Sequence, residues 1–173
     1  MNRPGMIAAP GKGDMMAKRA IKTGNPVDYR LDEQVGFILR RASQRHQIIF
    51  GNEIPDLTAT QFAALAKLFE LGPVSQNELG RQTAMDAATI KGVIDRLRKR
   101  GHVATRPDPD DMRRLYVEIS PDGIKAFAGY ATAALRISEQ TLAPLGVRER
   151  MQFLQLLDKI ANGPVAPDRK GKS

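Results

Sequence analysis

Residues 75–120 read SQNELGRQTAMDAATIKGVIDRLRKRGHVATRPDPDDMRRLYVEIS, and the order of signals in this stretch decides the fold. Ser75 followed three residues later by Glu78 is a capping box, in which the two side chains satisfy free N–H groups at a helix start. A short helix is expected from there to about Thr83. After a turn through Ala84 and Met85, Asp86 caps a second helix reaching about Arg100. Ile90, Val93, Ile94 and Leu97 recur at the spacing that lines one helical face, so they point to a core. The other face carries Ala87, Ala88, Lys91, Gly92 and Arg98, with Thr89 beside them. Small residues let a helix sit deep in a groove, and cations there meet phosphate. The pair reads as a helix-turn-helix whose second helix recognises DNA, with Ser75, Gln76 and Asp86 at the helix starts that face the duplex.

Two extended runs follow, Val103 to Arg106 and Leu115 to Ile119. In the second, Leu115, Val117 and Ile119 alternate inward with the period of a half-buried strand. Between the runs lies PDPDDMRR, with turn chemistry at Pro107, Asp108, Pro109 and Asp110 and adjacent arginines at 113 and 114. A hairpin with an arginine-bearing loop beyond a recognition helix is the wing of a winged helix. Arginines so placed enter a minor groove, where narrow A·T tracts concentrate negative potential. Three aspartates at 108, 110 and 111 resemble a metal-ligand run, but Pro109 and the arginines fit a turn better. No metal or other cofactor is expected.

From Leu57 to Gly123 the chain resembles the MarR (multiple antibiotic resistance regulator) family of winged-helix transcription factors. The resemblance rests on LTATQFAALAKLFELGPVSQNELGRQ, DAATIKGVIDRLRKRGHV and RPDPDDMRRLYVEISPDG. The family's wing motif of Asp, any residue, Arg corresponds to Asp111-Met112-Arg113. By resemblance Arg113 reaches the minor groove and Asp111 helps hold the wing. Where many relatives have a hydroxyl residue and then Arg on the recognition helix, this chain has Lys91 and Gly92. Arg106 and Arg114 complete the expected DNA-facing set.

The flanks supply the rest of the plan. A first helix is expected from Asp32 to about Phe50, with Val35, Ile38, Leu39, Ala42, Ile49 and Phe50 as its apolar stripe. Thr58 and Gln61 form a second capping box, opening a helix that ends at Gly72. Ser120 caps and Pro121 opens a helix carrying Ile124, Phe127, Ala131, Leu135 and Leu142. Pro144-Leu145-Gly146 breaks it, and a last helix carries Val147, Met151, Leu154, Leu157 and Ile160. The expected fold is mainly α: a winged helix-turn-helix over 57–120 with a two-stranded β wing. Dimerisation helices over 32–55 and 121–162 complete one MarR-like domain over 31–162. The terminal helices project beyond the winged helix, so their apolar faces call for a second copy; two-fold symmetry then matches a pseudo-palindromic operator.

Composition narrows the function classes. Among 173 residues there is no cysteine, which excludes thiol redox sensing and thiolate metal sites. Only His46 and His102 offer imidazole, too few for a multi-histidine site in one subunit. The net charge is +8, yet much of it sits at the ends: residues 1–30 hold six Lys/Arg against two Asp, and residues 163–173 hold three against one. These are expected to be a mobile basic extension and a disordered tail, adding salt-sensitive, sequence-independent attraction to DNA. No apolar run approaches the roughly 20 residues that span a bilayer, so a cytoplasmic protein without membrane contact is expected. No nucleophile–base pair, phosphate-cradling loop or metal triad suggests an enzyme.

A ligand site is the remaining expectation. His46 interrupts an apolar stripe, among Arg40, Arg41, Ser43, Gln44, Arg45 and Gln47. In proteins of the resembled family the effector pocket lies between the dimerisation helices and the winged helix, lined by this helix. That implies an effector set of Arg40, Arg41, Ser43, His46, Gln47, Phe50 and Phe62, suited to a small aromatic carboxylate or its acyl-CoA thioester. VGFILRRASQRHQIIF resembles the branch that controls aromatic catabolism. The competing reading makes His46 a hydrogen-bonded core or interface histidine and the arginines solvent-facing. For the whole chain, the reading is a homodimeric repressor released by its effector; the alternative is an architectural DNA-binding protein with none.

Overall fold

The computed structural model describes residues 29–108 and 115–164. A single 3-10 turn at Leu31–Glu33 precedes α1 (Val35–Glu53), followed by α2 (Ala59–Leu71), β1 (Val74–Ser75), α3 (Gln76–Gln82) and α4 (Ala87–Lys99). Then come β2 (Val103–Pro107), β3 (Leu115–Ile119), α5 (Pro121–Leu142) and α6 (Val147–Ala161). The sheet is antiparallel in the order β1-β3-β2. The wing therefore has a third strand, Val74–Ser75, too short for a periodic signal; it pairs Val74 with Val117 and Ser75 with Tyr116.

The helix ends follow local chemistry. Thr58 and Gln61 form the full capping box, each side chain meeting the other's backbone N–H. At Ser75 only half of the expected box exists. Its hydroxyl accepts from Glu78 N at 3.2 Å, but the Glu78 carboxylate takes Arg81 and Gln82 instead. A guanidinium one turn away is a stronger partner than a backbone N–H. Asp86 and Ser120 cap α4 and α5 as expected. The first helix begins later than expected, at Val35, because Gln34 is extended (φ −81°, ψ 127°) and leaves Asp32 in the 3-10 turn.

The core lies under the winged helix. Leu65, Leu68, Leu79, Ile90, Leu97 and Val117 are almost wholly buried, with Ile54 from the end of α1 and Ile137 from α5. All four stripe residues of α4 are in it. Leu115 departs from the expected alternation and is exposed; Val117 carries the inward position of β3. The stripes of the flanking helices are not consumed within the chain. In α1 only Ile49 and Phe50 are buried, in α5 Leu135 stays 70% exposed while Ala133 and Ile137 turn inward, and α6 buries nothing. Helices whose apolar faces find no cover in their own chain are built for another.

Candidate nucleic-acid interface and effector cleft

Gly80 sets how closely the two helices of the reading head cross. A Cβ there would lie 3.1 Å from the Met85 carbonyl oxygen and 3.3 Å from Ile90 Cγ2. The turn between them uses Ala84 at φ +52°, with Met85 N donating to Gly80 O at 2.9 Å. The recognition helix α4 then starts at a fixed angle. Asp86 Oδ1 accepts from Thr89 N at 2.7 Å, and that backbone N–H holds the carboxyl below its usual range.

From this start, Ala87, Ala88, Thr89 and Lys91 are exposed along one face. Gly92 is half-buried, and the Arg96 guanidinium lies over it, with Nη1 3.7 Å from where a Cβ would stand. Arg96 was absent from the sequence-derived set. Its signal was the i, i+4 spacing to a residue without a side chain. Arg98 is exposed and pairs with Asp95 one turn back at 3.3 Å. Ser75 and Gln76 are half-buried at the start of α3, the Ser75 hydroxyl being spent on the cap. Arg106 lies over the Tyr116 ring at 5.1 Å, with Glu118 4.0 Å from its Nε. Asp111, Arg113 and Arg114 lie outside the described residues.

The expected effector residues divide into groups. Ser43 and His46 line a cleft of about 440 Å³ between α1, α5 and α6, with Leu39, Ala42, Ser138, Thr141, Leu142, Phe153, Leu154 and Leu157. His46 Nδ1 is 3.0 Å from Thr141 Oγ1. Among the lining residues only His46 can carry charge; the walls are otherwise apolar with three hydroxyls. Gln47 and Phe50 face a separate cleft of about 340 Å³ towards the start of α2, with Leu57, Thr58 and Thr60. Phe62 lines neither. It sits in a ladder of rings running His46, Phe50, Phe62, Phe127 and Phe69, with centroid separations from 4.4 to 6.3 Å. Arg40 and Arg41 do not line either cleft; both guanidiniums lie over Phe37, at 5.3 and 5.8 Å. The α5 and α6 residues of the larger cleft were missed because no local spacing announces which distant helix will pack on α1.

One polar seam ties α1 to α5 near this cleft. Glu53 accepts from Arg136 Nε at 2.9 Å and from Gln140 Nε2 at 2.7 Å. The Gln140 hydrogen bond, then Arg136, hold its carboxyl below the usual range. Arg45 donates to Gln140 O at 3.1 Å. Among the described residues there is no metal-ligand cluster, and no helix is long and apolar enough to cross a membrane.

This architecture, a winged helix-turn-helix between helices that need a partner, matches known regulators across most of its length. Residues 57–115 match the MarR family. The transcriptional repressor NicR of Pseudomonas putida is 40% identical over 84% of this chain and 95% of its own length. A crystal structure of a probable transcriptional regulator from Pseudomonas aeruginosa is 54% identical, with TM-score 0.73, covering 76% of this chain and 99% of that one. The structure of Bordetella bronchiseptica BpsR, described for the regulation of its DNA binding by 6-hydroxynicotinic acid, is 39% identical with TM-score 0.75, covering 79% and 99%. The chain belongs to the MarR family of DNA-binding transcriptional regulators, which act as dimers on operator DNA and respond to small-molecule effectors.

Proposed function

We propose that this protein is a repressor whose hold on its operator is released by a small aromatic acid bound at the His46 cleft. The observation that carries the reading is that cleft: apolar walls, a few hydroxyls and one imidazole, where α1, α5 and α6 meet. Apolar walls with few convergent polar groups suit a planar ring with an acidic substituent. The effect of BpsR's effector, 6-hydroxynicotinic acid, on that protein's DNA binding makes it the first compound to try. Its ring is of the class expected from the sequence.

Binding there acts on reading heads elsewhere. Two recognition helices must enter major grooves about 34–36 Å apart. A ligand that favours another spacing of the heads weakens the complex by its differential affinity for the two states. Arg40 and Arg41, on the same helix, contribute positive potential to an anion's approach. On this reading the protein is a cytoplasmic regulator and not an enzyme, and residues 31–162 act as one domain.

The smaller cleft by Gln47, Phe50 and Thr58 is a second seat, favoured by its place between α1 and the winged helix. Isothermal titration of 6-hydroxynicotinate decides between them. His46→Ala is expected to weaken binding about tenfold, with dimer mass and operator affinity unchanged, as for loss of one charge-assisted hydrogen bond. If His46→Ala binds as wild type and Gln47→Ala does not, the ligand sits in the smaller cleft. If wild type itself gives no heat and no thermal shift with this or related aromatic acids, the effector class is wrong.

A further inference from the structure

The two ends that meet behind the recognition helix are fastened to each other. At the C-terminus of α4 the chain reverses through Gly101 at φ +76°, and His102 N donates back to Leu97 O at 3.0 Å. The Ser120 hydroxyl, 19 residues on, donates to Gly101 O at 2.5 Å. Ser120 Oγ in turn accepts from Gly123 N at 2.9 Å as the cap of α5. Ser120 N donates to His102 O at 2.9 Å. Gly123 lets these parts approach: a Cβ would stand 2.1 Å from His102 O and 2.9 Å from Ile119 Cγ1. Further along α5, Tyr130 meets the His102 ring edge-on, with its hydroxyl 3.5 Å from Nε2.

We infer that Ser120 is a positioning residue of the reading head, its hydroxyl locking α4 to α5 so that the two helices move as one body. α5 runs on to the His46 cleft, where Ser138 and Thr141 stand in its wall. α4 has its base-reading residues at the opposite end from the clasp. Thirteen residues make a helix about 20 Å long, so a tilt of about 10° at the clasp moves the reading end by about 3.5 Å. Hydrogen bonds to base edges tolerate only a few tenths of an ångström. The clasp thus protects operator discrimination more than it protects the fold. Contacts to phosphate by flexible cations survive such a tilt.

Replacing Ser120 separates its two jobs. An Asp at this position still accepts from Gly123 N and caps α5, but has no proton for Gly101 O. Thr keeps both. The readout is the ratio of affinities for a duplex that wild type selects from a random-sequence pool and for a scrambled duplex of the same composition. Ser120→Asp is expected to stay a dimer, melt within a few degrees of Ser120→Thr, and lose about tenfold of that ratio, while Ser120→Thr keeps it. A folded Ser120→Asp dimer with the wild-type ratio overturns the inference. So does an equal loss on both duplexes, which is only the repulsion of an added negative charge. Should Ser120→Asp not form a folded dimer, Gly123→Ala decides by the same ratio, because its methyl group forces the two helix ends apart. A wild-type ratio there also overturns the inference.

Discussion

Gly92 shows how one missing side chain redistributes a function. A glycine at the middle of a recognition helix offers nothing to a base, yet the Arg96 guanidinium occupies the space above it. DNA binding then rests on two kinds of arginine. Arg96 on α4 is expected to act on phosphate, so Arg96→Ala should weaken operator and scrambled DNA alike and lower the salt slope by about one. Arg113, matched to the wing motif, is expected to act in the minor groove. Arg113→Ala should cost about 1–3 kcal/mol on the operator and much less on scrambled DNA, with circular dichroism and dimer mass unchanged. Fluorescence anisotropy on both duplexes at several salt concentrations separates the two. Equal losses for Arg113→Ala on both would remove it from sequence reading.

Among elements, α4 is the most completely specified, and its apolar stripe is where stability and function meet. Leu97 is fully buried, so Leu97→Ala should destabilise by about 2–5 kcal/mol in urea unfolding. Leu135→Ala on α5 should change the stability of one subunit little, since that side chain is 70% exposed in the chain; its cost should appear in dimer dissociation. This contrast also marks where sequence reading succeeds. In α4 one face is apolar and one polar, so 3.6-residue periodicity identifies the core outright. In α5 apolar residues occur around most of the helix, and periodicity cannot say that Ala133 and Ile137 turn inward while Leu135 turns out. Capping boxes were legible at Thr58 but half wrong at Ser75, because Glu78 found a charged partner. β1 was invisible because two residues have no period. The effector set mixed residues of two clefts, since neighbours in sequence on a helix point to different sides of it.

At the scale of the molecule, carboxylates held below their ordinary pKa tie the fold together: Glu53 of α1 by Gln140 and Arg136 of α5, Glu78 within α3 by Arg81 and Gln82, and Asp86 at the start of α4 by Thr89. A carboxyl with a depressed pKa in the folded state stabilises it above the unfolded pKa and loses that contribution as pH falls through the folded value. Thermal unfolding is therefore expected to be flat from neutral pH down to about 5 and to fall below about 4.5. Glu53→Gln should lessen the acid slope, since its neutral amide no longer titrates between α1 and α5. An acid slope identical to that of wild type would detach Glu53 from the effect.

An operator released by an effector requires that one dimer couple two ligands across its helices, and coupling of this kind is reciprocal. The most direct measurement is a closed cycle with wild-type dimer: operator affinity with and without saturating 6-hydroxynicotinate, and 6-hydroxynicotinate affinity with and without operator. Each ligand is expected to weaken the other by the same factor, of the order of tenfold or more. A 6-hydroxynicotinate that binds measurably, yet leaves operator affinity unchanged, would contradict it.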